Sequence, residues 1–176
     1  MSFMGTTIRI TAERMLGLAE VLAADVDAKI FARQPMADGK RVVTNHPAFV
    51  YGHLAIYPAR VLGLAGKDAS TLTPPAAWND LFKAGAECRD DAEGTIYPGK
   101  DELVKSMLEW HRAALVVVEA MTEEEFKAPN PAGGRFSEIM PTMGAATMFL
   151  FGGHAMMHLG QVSAWRRVMG LPSAMR

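Results

Sequence analysis

The sequence predicts an all-α protein, a four-helix bundle with a long crossover between its second and third helices. Three observations carry this expectation. Apolar residues recur at steps of three and four in several long segments, the spacing of one face of a helix. No stretch alternates apolar and polar residues for long enough to suggest a sheet. The segment between the second and third helical patterns, residues 67–100, far exceeds the roughly 2–8 residues that join neighbours in a bundle.

Residues 11–31 place Met15, Leu18, Leu22 and Val26 on one helical face. Gln34-Pro35 and Asp38-Gly39 then break the pattern. A second helix is expected to start at Pro47, where the missing N–H costs nothing. It runs through Phe49, Val50, His53, Ile56, Tyr57, Arg60, Val61 and Leu64 to Gly66, with Pro58 as a kink. In the crossover stand Pro74-Pro75, Trp78, Leu81-Phe82 and Tyr97-Pro98. Its length allows the second and third helices to run parallel, and a short helical piece at Ala76 to Phe82 could cap one end. A third helix is expected from Asp101 to about Met121, carried by Leu103, Val104, Met107, Leu108, Trp110, Leu115 and Val118. Thr122-x-x-Glu125 has the form of a capping box and predicts a short extra turn. The fourth helix occupies much of residues 139–165, continues through Arg166 and Arg167, and stops at Gly170 with Pro172 behind it.

At 176 residues with 49% apolar side chains, the chain is expected to form one domain over residues 1–176 and to bury a core without staples. Lys plus Arg (18) nearly balances Asp plus Glu (19), a formal net charge of −1. Nothing there drives phosphate binding, which excludes nucleic acid as the expected partner. The single cysteine, Cys88, excludes an intrachain disulfide and the CxxC sites of zinc and redox proteins. Cys88 lies in the charged stretch Glu87-Cys88-Arg89-Asp90-Asp91 with no evident histidine partner, so a catalytic thiol is not expected. The opening residues lack a basic start followed by an apolar stretch, so no cleaved signal peptide is expected. Together these predict a cytoplasmic location. Residues 139–165 contain no Asp, Glu, Lys or Arg, yet they include Pro141, Gln161, His154, His158 and four glycines. A helix buried inside the protein accounts for that better than a membrane span.

That uncharged helix carries His154-Ala-Met-Met-His158-Leu-Gly-Gln161. Positions i, i+4 and i+7 share a face, so His154, His158 and Gln161 make a polar stripe. Unmatched, each buried polar group would cost about 1–3 kcal/mol. Two neutral imidazoles one turn apart can converge on a divalent metal, and a third ligand is then expected from another helix. Of the three remaining histidines, His53 is the best placed, in Gly52-His53-Leu54 amid apolar turns with Tyr57 and Arg60 along its face. His46 precedes Pro47 and reads as a cap or a solvent group. His111, beside Glu109 and Arg112, reads as nearer the surface. The abundant methionines read as core filler, since thioethers suit softer metals. Gln161 reads equally as an interhelix hydrogen bond or as a group that orients a ligand histidine. Arg166 and Arg167 read as a favourable pairing with the helix dipole.

These segments, Asn45-His46-Pro47-Ala48-Phe49-Val50-Tyr51-Gly52-His53-Leu54 and His154 to Pro172 with its Arg166-Arg167-x-x-Gly170-Leu171-Pro172, resemble the DinB/YfiT-like superfamily. The resemblance runs through nearly the whole chain in the order of its parts. It implies a four-helix bundle with a crossover, a homodimer, and a divalent metal, nickel or zinc, held by His53, His154 and His158. Members with known activity include thiol-dependent transferases and isomerases. Three histidines leave a coordination position open, as catalytic sites do. The expected function is therefore a metal-dependent enzyme that activates water or a low-molecular-weight thiol on a small-molecule substrate, as a hydrolase or S-transferase. No Asp or Glu lies on the faces carrying the histidines, which argues against hydrolysis of the H-E-x-x-H kind. Tyr57 could polarise a substrate. The competing expectation is a non-enzymatic stress-response or ligand-binding module with a structural or vestigial metal.

Overall fold

The computed structural model describes residues 2–174. Helix α1 spans Phe3–Ala24, α2 Pro47–Ala55, α3 Tyr57–Leu64 and α4 Ala76–Phe82. Helix α5 spans Lys100–Ala120, α6 Glu123–Lys127, α7 Gly134–Ile139, α8 Met143–Met148 and α9 Ala155–Val168. A six-residue π-helical segment, Phe149–His154, joins α8 to α9. A small antiparallel hairpin, β1 (Met36–Ala37) and β2 (Lys40–Arg41), turns at Asp38-Gly39. The fold is all-α apart from this hairpin, which is too short to show as alternation in the sequence.

Helix α5 packs against α1, α2 and α3, and α9 packs against α1 and α2. The core thus lies among the long helices, where α1 contributes Ile8, Ala12, Met15, Leu16, Ala19 and Leu22 at the predicted three- and four-residue steps. The helix starts eight residues earlier than its apolar spacing suggests, because Ser2 Oγ caps it by accepting from the Gly5 N–H at 2.9 Å. It also ends earlier. Val26 and Phe31 are buried, but they flank a 3-10 turn at Ala28–Ile30, capped by Asp27, rather than lying on α1. The predicted second helix is two helices: the chain breaks at Ile56, two residues before Pro58, whose ring cannot continue the ladder.

The crossover after α3 holds a 3-10 turn at Ser70–Leu72 and α4, where the short helix was expected. Trp78 and Phe82 bury their rings from α4. Further on, the Asp91 carboxylate accepts from the backbone N–H groups of Thr95, Ile96 and Tyr97 at 3.0, 2.9 and 3.1 Å, folding the loop around itself. Tyr97 then lies edge-on to His46, 4.9 Å between ring centres, and stacks with Phe82 at 5.9 Å. His46 is fully buried rather than a solvent group. Its Nδ1 caps α2 by accepting from the Phe49 N–H at 3.2 Å, and its Nε2 donates to the Arg89 carbonyl at 2.8 Å. The crossover is thereby clamped to the start of α2. Among the described residues, no helix is long and apolar enough to cross a membrane.

Candidate metal centre

Helix α2 presents His53, the π-helical segment ends on His154, and the first turn of α9 carries His158. All three are buried. Their ring centres lie 4.5 Å (His53–His158), 4.6 Å (His154–His158) and 5.2 Å (His53–His154) apart. One nitrogen from each lies within 4.8 Å of the other two, and no carboxylate or thiol joins this group among the described residues. The Nε2 atoms of His53 and His154 are 3.1 Å apart. An ion about 2.0–2.1 Å from two imidazole nitrogens holds them roughly 3.4 Å apart at the tetrahedral angle. The closest pair therefore already stands near ligating separation.

The supports behind two of the rings fix which nitrogen faces inward. His53 Nδ1 donates to the Phe82 carbonyl at 2.6 Å, so its Nε2 carries a lone pair. Gly52 allows this approach: a Cβ there would stand 2.2–2.5 Å from atoms of the Phe82 ring. His158 Nδ1 donates to Gln161 Oε1 at 3.0 Å, and the same oxygen accepts from Asn45 Nδ2 at 3.0 Å. Carbonyl or amide support of the outer nitrogen is what ligand histidines ordinarily have. Burial holds the His53 ring neutral, its pKa depressed to about 4, with the neighbouring His158 adding to the effect. Burial first, then His158 and His53, takes His154 to about 3. Burial also lowers His158, against the Gln161 hydrogen bond. Three buried, neutral imidazoles thus turn ring nitrogens toward one another, with His154 Nε2 donating to His53 Nε2 when no ion is bound. Such a set of nitrogens suits a divalent cation.

Tyr57 packs its ring on His154 at 4.5 Å and on His53 at 5.0 Å, and burial raises its phenol pKa. On the far side of Tyr57, the Arg60 guanidinium lies 5.8 Å from the ring centre. Tyr57 and Arg60, with Thr73, Asn79 and Lys83, line a cavity of about 400 Å³. Burial pushes the Cys88 thiol up to about 11, the opposite of an activated nucleophile.

The residues expected from sequence, His53, His154 and His158, thus stand in one cluster, with Gln161 behind His158 and Tyr57 against the rings. His111 is the exception. Its side chain is fully buried rather than near the surface, because Met107, His111, Ala114 and Val118 form the inward face of α5 while Glu109 and Arg112 point elsewhere. Asn45 and the Phe82 carbonyl are supports that sequence reasoning misses. Asn45 is 116 residues from its partner, and a backbone carbonyl leaves no mark in a sequence.

The helical fold brings three histidines from two distant segments into one group that could hold a metal ion. Residues 8–162 match the DinB superfamily, and the chain belongs to that superfamily. No curated protein and no solved structure matches it.

Proposed function

We propose that the chain is a metal-dependent enzyme in which His53, His154 and His158 hold zinc or nickel, and that it acts on a small molecule with a low-molecular-weight thiol as co-substrate. One observation carries the reading: one nitrogen from each of three buried, neutral imidazoles lies within 4.8 Å of the other two, with no fourth His, Cys, Asp or Glu in the group among the described residues. Imidazole sets suit zinc and nickel. When bound, the ion supplies a Lewis-acid position that lowers the pKa of a water or thiol placed there.

The chain's own residues do the rest. Phe82 and Gln161 hold the outer protons of His53 and His158, which fixes both rings. Asn45 holds Gln161. Tyr57 keeps its phenolic proton and packs against both the histidine rings and Arg60, lining the adjoining cavity. With no carboxylate in the group among the described residues, neither water nor thiol has a protein base there, and the thiol, intrinsically the more acidic, gives its proton to solvent more readily. That favours S-transfer over hydrolysis. Arg60 and Lys83 at the adjoining cavity suit a substrate carrying negative charge.

The test begins with protein purified without chelator and without a nickel column. We expect about one equivalent of metal, and a cobalt-substituted form whose spectrum gains a sulfur-to-cobalt band when a small thiol is added. Failure of the protein to bind zinc, nickel or cobalt would overturn the reading. Metal binding with no response to thiols would return it to the non-enzymatic module.

A further inference from the structure

Two of the three site histidines hand their Nδ1 proton to an oxygen: His53 to Phe82, His158 to Gln161. His154 does not. Its Nδ1 is buried without a partner. Among the described residues, one other histidine nitrogen shares that condition, His111 Nε2 on α5. The two have complementary roles. His154 turns Nε2 toward His53, so in a ligating ring Nδ1 carries the proton and must donate. His111 Nδ1 donates to the Met107 carbonyl at 2.7 Å, so its Nε2 has the lone pair and must accept.

Phe151 links the two. His111 packs its ring on Phe151 at 5.2 Å, inside the π-helical segment that ends on His154. The two nitrogens make no direct hydrogen bond. A buried donor and a buried acceptor in this relation are the polar walls that hold an internal water, which needs at least two partners.

We propose that His111 is a positioning residue of the metal centre, its Nε2 taking the Nδ1 proton of His154 through one bridging water. This rests on the metal-centre reading above. It gives His154 the outer support that its two companions already have, and sets a histidine of α5 as the third contributor to the centre after α2 and the π-to-α9 segment.

Two measurements test it. In metal-free protein, melting temperatures are taken for His111→Leu, His154→Leu and the double variant. Linked residues give a double loss smaller than the sum by several degrees; strict additivity overturns the link. In cobalt-substituted protein, proton spectra should show three shifted, exchangeable imidazole N–H signals. In His111→Leu one of them should exchange markedly faster and metal affinity should fall about 10–100-fold, the range typical of outer partners. His111→Gln, which keeps an acceptor, should restore the slow exchange in part. Three signals unchanged in His111→Leu would overturn the proposal. If the wild type takes up no cobalt, the metal reading fails while the metal-free cycle still decides whether His111 and His154 are linked.

Discussion

The His154 imidazole touches every part of the centre, with His53, His158 and Tyr57 around its ring. His154→Ala should therefore leave a folded protein that no longer takes up equimolar zinc or cobalt, as read by elemental analysis after gel filtration. Retained stoichiometry would remove the ion from this site. Gln161→Leu acts one step back. His158 loses its acceptor and Asn45 its partner, and metal affinity should drop about 10–100-fold with little change in helicity. Gly52→Ala reaches the same centre through packing. Its new methyl collides with the Phe82 ring, which should cost about 1–3 kcal/mol by denaturant titration and weaken the metal by moving the carbonyl behind His53. Spacing is what makes these ligands legible in the sequence. His154 and His158 declare themselves because four residues is one turn, and His53 because apolar turns surround it. His111 misleads because its immediate neighbours are charged, although residues three and four away decide which way a helical side chain faces.

The π-helical segment Phe149–His154 sets the rotation of α9 relative to α8, since one added residue in a turn rotates the downstream helix by roughly 100°. Deleting Gly153 should undo that offset. We expect loss of cobalt binding or a lowered melting temperature as α8 is pulled from its contacts with α6; a deletion neutral in both would show that the segment does not aim the histidines. The capping box at Thr122 offers a contrast, because both of its hydrogen bonds are made yet it lies on a peripheral turn. Thr122→Ala should cost about 1 kcal/mol and leave metal uptake alone. This box, the α4 helix and the break near Pro58 are legible in the sequence because all depend on local chemistry. The early start of α1 is not, since Thr7 and Thr11 turn their hydroxyls back to the carbonyls of Phe3 and Thr7 instead of disrupting the helix. The π segment is equally hidden, because its residues are apolar and glycine-rich like those of any buried helix.

At the scale of the molecule, buried neutral histidines make the fold acid-sensitive. Burial depresses His111 to about 4, while an unfolded histidine titrates near 6.5. Between those values the unfolded chain binds more protons, so stability is full above about pH 6.5 and drains as the pH falls toward 4. Denaturant midpoints across that range should decline, and less so in His111→Leu. Arg166 closes the opposite end. Its position suggests a partner for the helix dipole, but the side chain is 2% exposed and donates to both Asp25 oxygens at 2.5 and 2.9 Å, and to the carbonyls of Leu22 and Pro172 at 2.9 Å each. Its hydrogen bonds hold Asp25 below the usual carboxylate range and tie the end of α1 to α9. Arg166→Met should cost roughly 1.5–3 kcal/mol without altering metal affinity. The centre itself joins residues 101 positions apart. Cross-linking a loop of about that length covalently is worth nearly 5 kcal/mol in the chain-entropy account, an upper bound for a coordinated ion. A bound ion would therefore make the histidines a removable clasp between the halves of the chain. Stripping the metal should leave the intervening crossover more open to protease, and adding it back should close the cut site again.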